Sequence, residues 1–124
     1  MNDRLVDVRG AVRHFGDTVA VAGVDLHLAP GQLLGLAGPG GAGKTTLMRL
    51  IAGVMLPDAG EVWIGGYDMT READLAREQL GYLSQRFSLY EDLTVLENIR
   101  FFAEVRGLSA DNWRPRALEI LDFV

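Results

Sequence analysis

The sequence predicts an α/β fold, and three observations lead to this class. Residues 5–12 and 18–28 are rich in Val and Leu with partial alternation, as strands with one buried face are. Residues 33–37 are a short uninterrupted apolar run, which is typical of a strand buried on both faces. Residues 45–52 place apolar side chains at helical spacing and are followed by Gly53 as a stop signal. Strands joined to a helix through a glycine-rich segment indicate an α/β unit.

The later elements follow in order along the chain. Residues 61–64 form a predicted strand between two turn signals, and residues 71–80 a weak helix. Thr94-Val95-Leu96-Glu97 is a capping box, which predicts a helix that ends at Gly107. A last apolar helical pattern over residues 117–124 follows Pro115, which we expect to delay or kink the start of that helix.

Composition excludes several classes of protein. The 124 residues are 48% hydrophobic, which suffices for a folded core and argues against disorder. The chain has no cysteine, and therefore no disulfide and no thiolate metal site. Its 17 acidic residues outnumber 12 basic ones, which argues against a surface for nucleic acid. Charged residues interrupt the early apolar stretch, so we expect no signal peptide. Glycines interrupt the longest uncharged stretch, so we expect no membrane span and a soluble chain.

The strongest chemical signal is the segment Gly38-Pro39-Gly40-Gly41-Ala42-Gly43-Lys44-Thr45, which matches GxxxxGK[ST] at every fixed position. Its glycines allow successive N–H groups to face a phosphate, and the helix that follows adds the positive end of its dipole. Lys44, the only lysine in the chain, can reach the β- and γ-phosphates, and the Thr45 hydroxyl can ligate Mg²⁺. The segment therefore predicts a nucleotide phosphate site.

This loop alone leaves the class of nucleotide-binding protein open. A Ras-like GTPase reads guanine with an N-K-x-D motif, which cannot occur because the single lysine lies in the phosphate loop. The D-x-x-G at residues 7–10 precedes the loop and is in the wrong order for that class. A small-molecule kinase stays possible, although no residue pattern favours one.

Further segments resemble the nucleotide-binding domain of ABC transporters, in order and over essentially the whole chain. His14-Phe15-Gly16-Asp17 is similar to the opening of that domain, Leu80-Gly81-Tyr82-Leu83-Ser84-Gln85 to its Q-loop, and residues 89–98 to the segment after it. The resemblance implies a P-loop core of the ABC type, incomplete here. It would comprise an antiparallel β subdomain (about 1–30), the core (about 31–85) and the start of the helical subdomain (about 86–124). The sequence of residues 88–95 is more similar to that of exporter-type systems.

The same resemblance implies a site for ATP and Mg²⁺. Phe15 would stack on adenine, Lys44 and Gln85 would take part in catalysis, and Thr45 and Gln85 would ligate the metal. The nucleotide would be held by the residues of the loop, Gly38, Gly40, Gly41, Ala42, Gly43, Lys44, Thr45 and Thr46. Alternatively, Phe15 belongs to the core and Gln85 is a solvated loop residue.

The resemblance also implies partners and a location. The stretch from Arg86 to Asn98, with the aromatics Phe87 and Tyr90, would contact a transmembrane permease, or else pack a helical core of its own. A second ATP-binding domain would pair with this one, as a homodimer or a tandem cassette, and no nucleic acid is expected. The protein would lie in the cytoplasm, held at the inner face of the membrane through its permease.

Three catalytic elements of that family do not occur in the 124 residues: Walker B, the LSGGQ-type signature and the switch histidine. The run that ends at Asp122 has Phe123 where the catalytic glutamate belongs. We therefore expect the N-terminal part of an ABC transporter ATPase, which alone exposes apolar surface, tends to associate and does not hydrolyse ATP. The alternative is a truncated, non-catalytic nucleotide-binding or regulatory module. ABC-type factors of translation or repair are disfavoured by the acidity.

Overall fold

A computed structural model describes residues 4–39, 43–83 and 89–124. The chain forms two compact units, Met1–Leu83 and Ser84–Val124. Within the described residues, the first unit holds a β-sheet and two helices, and the second holds two helices. The three-part division that the resemblance implies, with boundaries near residues 30 and 85, stays a prediction.

The first unit is built on a four-stranded antiparallel sheet of strand order β2-β1-β3-β4. Its strands are β1 (Val6–Phe15), β2 (Thr18–Leu28), β3 (Ala59–Ile64) and β4 (Tyr67–Asp68). Both strands predicted before the glycine-rich segment are present, and β1 continues beyond the predicted end at residue 12. Phe15 and Thr18 face each other at the tip of the β1–β2 hairpin, whose turn contains Gly16 at φ 58°.

The hairpin contains an irregularity that bears on the site. Arg13 pairs with Val21, whereas the next residue, His14, pairs with Val19. Ala20 is therefore an extra residue in β2 with no partner of its own in the register. Such bulges redirect a peptide group out of the ladder.

Helix α1 (Lys44–Ala52) packs its apolar side on the sheet. Leu47 and Leu50 are buried as the spacing predicts, and Gly53 ends the helix in the left-handed conformation at φ 74°. Arg77 of α2 (Ala73–Glu78) donates to the carbonyl oxygen of Gly53 at 3.1 Å. The buried core of the unit comprises Val8, Ala11, Val21, Leu47, Leu50, Val62, Ile64, Met69 and Ala76.

The apolar run at residues 33–37 departs from its prediction. It has no regular secondary structure, and Leu33 is 100% exposed. A strand buried on both faces needs a hydrogen-bonded neighbour along each edge and cover above and below. No strand among residues 4–39, 43–83 and 89–124 pairs with this run. The prediction of a buried strand is therefore wrong for this structure, because the run cannot supply its own neighbours.

The second unit consists of α3 (Val95–Val105) and α4 (Ala110–Phe123). They pack through the buried residues Ala103, Trp113 and Ala117. The capping box at the start of α3 is present as predicted. Helix α4 begins at Ala110, well before Pro115, so the predicted delay of this helix is wrong. Burial of Trp113 with Ala103 and Ala117 stabilises the earlier start and offsets the hydrogen bond and the close backbone contact that Pro115 costs the helix.

Apolar surface is exposed in both units. Leu33, Leu83 and Phe123 are 100%, 95% and 89% exposed. The tendency of the chain to associate stays a prediction. Among the described helices, none combines the length and the apolar character that a membrane span requires.

Candidate nucleotide site

The phosphate loop enters helix α1 through Gly43. This residue is the N-cap of the helix and has φ 87°, a left-handed conformation that glycine adopts at little cost. A Cβ atom at this position would overlap the carbonyl oxygen of Ala20, the extra residue of β2. Backbone conformation and close packing thus independently require glycine at position 43. The bulge in β2 and the start of α1 fit together at this point.

The N-terminus of α1 is open. Gly43 has no side chain to cap the helix, and the first intrahelical bond runs from the N–H of Leu47 to the carbonyl of Gly43 at 2.9 Å. The N–H groups of Lys44, Thr45 and Thr46 precede that bond and have no acceptor within the helix. The Thr45 side chain is exposed beside them. Three backbone donors, one hydroxyl and the helix dipole therefore favour an anion.

Lys44 places its positive charge on the same loop. Its ammonium group donates a hydrogen bond to the carbonyl oxygen of Gly38, so the side chain reaches across the first residues of the motif. Lys44 is half-buried, while Gly38 is exposed. A cation held by a backbone carbonyl remains able to exchange that bond for a phosphate oxygen, which carries full negative charge.

A cavity of about 310 Å³ lies between β2 and the loop. Its walls combine apolar residues of β2 with the two residues that begin α1, and they comprise Ala20, Val21, Ala22, Val24, Leu36, Ala37, Gly43, Lys44 and Leu47. The space thus adjoins the open helix end directly. It offers room beside the donors of the loop for a ligand larger than phosphate.

Phe15 lies at the end of β1 that is near this loop. It is 46% exposed and therefore does not belong to the buried core. Its partner Thr18 is two residues from Ala20, or about 7 Å along the strand, and the Ala20 carbonyl adjoins Gly43. The hairpin thus brings an accessible aromatic ring to the same end of the sheet as the start of α1. Whether this ring stacks on a base stays a prediction.

Part of the predicted site lies outside the described residues. This holds for Gly40, Gly41, Ala42 and Gln85, whose predicted roles stay predictions. It also holds for residues 86–88 at the start of the predicted permease contact. Within the described residues, no group of three or more His, Asp or Glu side chains could hold a metal ion. The role of the Thr45 hydroxyl as a ligand of Mg²⁺ stays a prediction.

Asn98, which is 5% exposed, organises the described part of the stretch predicted to contact a permease. Its Oδ1 accepts from the N–H of Tyr90 at 2.8 Å, and its Nδ2 donates to the carbonyls of Tyr90, Leu93 and Thr94 at 3.1, 3.3 and 2.9 Å. The ring of Tyr90 lies 5.1 Å from that of Phe101 and is 50% exposed. The sequence marked this stretch by its aromatics, while the buried asparagine that shapes it gave no separate signal.

Arg13 is a second residue that the sequence did not single out. Its guanidinium carbon lies 5.0 Å from the ring centroid of Phe15, over the ring. A guanidinium at this distance is attracted to the face of an aromatic ring. Its position two residues before Phe15 on a strand was the available signal, because side chains i and i+2 share a face.

The segment at residues 56–58 contacts the Arg13 side chain. Arg13 donates through a terminal nitrogen to the carbonyl of Leu56 at 2.9 Å, and that nitrogen lies 3.8 Å from a carboxylate oxygen of Asp58. The N–H of His14 donates to Asp58 at 2.8 Å, and this bond, more than any other interaction, lowers the pKa of the Asp58 carboxyl. Asp58 therefore stays ionised beside Arg13.

Comparison with known proteins agrees with this architecture. A family model described as ABC transporter matches residues 21–123. The probable multidrug ABC transporter ATP-binding protein YbhF of Escherichia coli is 39% identical over 125 residues, covering 99% of this chain and 22% of the relative. The sulfate/thiosulfate import ATP-binding protein CysA of Gloeobacter violaceus is 44% identical over 112 residues, covering 90% of this chain and 32% of the relative. The chain thus spans about a fifth to a third of these relatives.

Two solved structures share the fold. The ATP-binding subunit of an ABC transporter superposes with a TM-score of 0.80 at 30% identity, covering 90% of this chain and 47% of the other. The dimeric post-hydrolysis state of the ATP-binding cassette MJ0796, bound to ADP and Pi, superposes with a TM-score of 0.76 at 28% identity, covering 94% and 56%. The predicted P-loop fold of the ABC type is therefore confirmed. Family model, relatives and fold agree that the chain belongs to the ABC transporter family.

Proposed function

We propose that this chain provides the nucleotide-binding part of an ABC transporter ATP-binding subunit, which couples binding and hydrolysis of Mg·ATP to transport by a membrane permease. The observation that carries the proposal is the open N-terminus of α1, with Gly43 fixed against Ala20 and Lys44 folded over Gly38. The relatives named above are ATP-binding proteins, and a structural neighbour contains ADP and Pi.

Each residue of the loop makes its own contact with the phosphates or with Mg²⁺. The N–H groups of Lys44, Thr45 and Thr46 donate to phosphate oxygens, together with those of Gly40, Gly41, Ala42 and Gly43. Lys44 exchanges the carbonyl of Gly38 for the β- and γ-phosphates and neutralises their charge. The Thr45 hydroxyl ligates Mg²⁺, and Gln85 supplies a second ligand or orients the attacking water. Bound Mg²⁺ supplies charge neutralisation at the transferred phosphoryl group.

The base would stack on Phe15, because an aromatic ring that is 46% exposed offers a face to a purine. Stacking on a hairpin tip, beside phosphates held at a helix start, fixes both ends of a nucleotide. Phe15 therefore contributes affinity that depends on the base, while the loop contributes affinity that depends on the phosphates.

The stretch from Arg86 to Asn98 would contact the permease through Tyr90. Asn98 holds the backbone at Tyr90 by two hydrogen bonds, so the exposed ring is presented on a fixed scaffold. A second ATP-binding domain would pair with this one, as the neighbour MJ0796 is dimeric. These contacts would hold the protein at the cytoplasmic face of the membrane. The sequence of residues 88–95 favours export, although named relatives include both a multidrug and an import protein.

Turnover needs groups that the 124 residues do not contain, namely a Walker B carboxylate pair and a signature motif. We therefore expect this chain by itself to bind Mg·ATP without hydrolysing it. The second candidate is a non-catalytic nucleotide-binding or regulatory module. The two candidates share the nucleotide site and differ only in whether hydrolysis occurs in the assembled protein.

Calorimetric titration of the chain with Mg·ATP tests the site. Lys44→Met should weaken binding by about tenfold to a hundredfold, because it removes a charged hydrogen-bond donor to phosphate. Arg49→Met is the matched control, since Arg49 is an exposed cation in the last turn of the same helix. Equal affinities of the Lys44 variant and the unaltered chain would refute the proposal.

A further inference from the structure

The contact between Arg13 and Phe15 has no role in the phosphate site. Both residues lie at the end of β1 that is next to the hairpin turn. The guanidinium carbon of Arg13 lies over the Phe15 ring, 5.0 Å from its centroid. The phosphates would be bound at the start of α1 by other groups. Through Phe15, Arg13 therefore bears on the end of the site where the base would lie.

Arg13 is also held in place by a group other than Phe15. The bond from its terminal nitrogen to the Leu56 carbonyl is 2.9 Å, and its Nε is buried without a partner among the described residues. The side chain is 28% exposed. An arginine that is mostly buried and anchored at its tip has few rotamers left, so it presents a fixed plane to the ring.

The segment that holds Arg13, residues 56–58, is itself hydrogen-bonded to β1. The N–H of Asp58 donates to the carbonyl of Val12 at 2.7 Å, and the Asp58 carboxylate accepts from the N–H of His14 at 2.8 Å. These two bonds lie on either side of Arg13 along the strand. These bonds keep the segment that carries the Leu56 carbonyl beside the strand, so moving the Arg13 guanidinium away from Phe15 would break its bond to that carbonyl.

We infer that Arg13 is a positioning residue for base recognition: it covers one face of Phe15 and fixes the ring so that a purine base stacks on the opposite face. The inference rests on the proposed function, since it deepens the role of Phe15 in that site. The guanidinium attracts the ring electrostatically. It also restricts the rotation of a side chain that is otherwise 46% exposed at a hairpin tip. A ring fixed before binding loses less entropy when the base arrives.

The test compares two ligands that share the phosphates and differ in the base. Mg·ATP and magnesium tripolyphosphate are titrated into the unaltered chain, Phe15→Leu, Arg13→Met and the double variant. Phe15→Leu should weaken ATP by about fivefold or more and leave tripolyphosphate unchanged. Arg13→Met should weaken ATP by roughly two- to fivefold and also leave tripolyphosphate unchanged. The double variant should bind ATP no more weakly than Phe15→Leu alone.

Two further variants sharpen the result. Arg13→Lys keeps the charge near the ring but not the planar group, so it should recover part of the ATP affinity that Arg13→Met loses. Arg114→Met removes an exposed arginine from α4 and should change neither affinity. Binding of tripolyphosphate by each variant shows that the loop is still folded.

Three outcomes would overturn the inference while the proposed function stands. ATP affinity could be the same for Arg13→Met and the unaltered chain, although Phe15→Leu weakens it. Arg13→Met could weaken both ligands equally, which would indicate a phosphate contact. It could also strengthen ATP binding, which would mean that the guanidinium occupies the face that the base needs. Failure of the unaltered chain to bind either ligand would instead refute the proposed function, and this inference with it.

Discussion

Helices α1 and α3 begin in opposite ways. Thr94, at the start of α3, accepts from the N–H of Glu97 at 3.1 Å, and the Glu97 carboxylate accepts from the N–H of Thr94 at 2.9 Å. Helix α1 begins at Gly43, which has no side chain and makes no such bond. One helix satisfies its first donors with its own side chains, whereas the other leaves them available to a ligand.

The two helix starts are therefore stabilised by different contacts. Asn98 adds four further hydrogen bonds at the start of α3, so that the loop before it is held by side chains. The start of α1 is held by backbone packing against Ala20. A side-chain cap at position 43 would compete with phosphate for the same N–H groups. We therefore expect substitutions at the start of α1 to change binding and substitutions at the start of α3 to change only stability.

The largest effect is expected for Gly43→Ala. A left-handed backbone costs a non-glycine residue about 1–3 kcal/mol, and overlap of the new methyl group with the Ala20 carbonyl adds about 1–3 kcal/mol. The first unit should therefore lose roughly 2–6 kcal/mol of its free energy of unfolding, as measured by urea denaturation. Binding of Mg·ATP should be lost as well, because relief of the overlap moves the start of α1.

Gly66→Ala is the matched control for this prediction. Gly66 has φ 86°, nearly the same as Gly43, but a Cβ atom there would meet no atom within 4 Å. Gly66→Ala should therefore lower the free energy of unfolding only by the cost of the left-handed backbone, about 1–3 kcal/mol, and leave ATP affinity unchanged. If both variants lose the same stability, the contact between Gly43 and Ala20 does not hold the loop.

A smaller effect, on the other side of the comparison, is expected for Asn98→Ala. The substitution removes four hydrogen bonds, three of them to backbone carbonyls, at a side chain that is 5% exposed. At about 0.5–1.5 kcal/mol for each net bond, and with some groups regaining water, the second unit should lose about 2–3 kcal/mol. Asn112→Ala, at an exposed asparagine of α4, should change stability little. Weaker binding of ATP by Asn98→Ala would contradict the proposal that the start of α3 affects only stability.

The sequence predicted the parts of this arrangement that depend on local spacing. The capping box follows from a Thr and a Glu three residues apart, and the end of α1 at Gly53 follows from helical periodicity and a glycine. These features require only neighbours along the chain. The phosphate motif is local as well, so Lys44 and Thr45 could be nominated without knowledge of the fold.

What the sequence missed depends on partners that are distant along the chain. Gly43 packs against Ala20, the extra residue of β2. Arg13 binds the carbonyl of Leu56 because the segment at residues 56–58 lies beside β1. No local spacing encodes either contact. The apolar run that includes Leu33 shows the converse error, since its composition indicates burial but the segment cannot provide the strands that would bury it.

The smallest effect is expected from acidification at the start of α3. The N–H of Thr94, and then its hydroxyl, hold the pKa of Glu97 below the ordinary value of 4.5. Because the folded pKa is the lower one, Glu97 stabilises the fold fully above pH 4.5, and this contribution is lost as pH falls through the folded pKa. Glu97→Gln keeps a hydrogen-bond acceptor at the same position but cannot ionise.

The unaltered chain should therefore be more stable than Glu97→Gln at about pH 7, and the difference should shrink as pH falls below 4.5 and through the folded pKa of Glu97, with urea denaturation as the measurement. Other carboxylates titrate in both proteins alike and cancel in the difference. A stability difference that does not change with pH would show that the charge of Glu97 adds nothing to the cap. At neutral pH the affinity for Mg·ATP should be equal in the two proteins, because a helix start that satisfies its own donors has none to offer a phosphate.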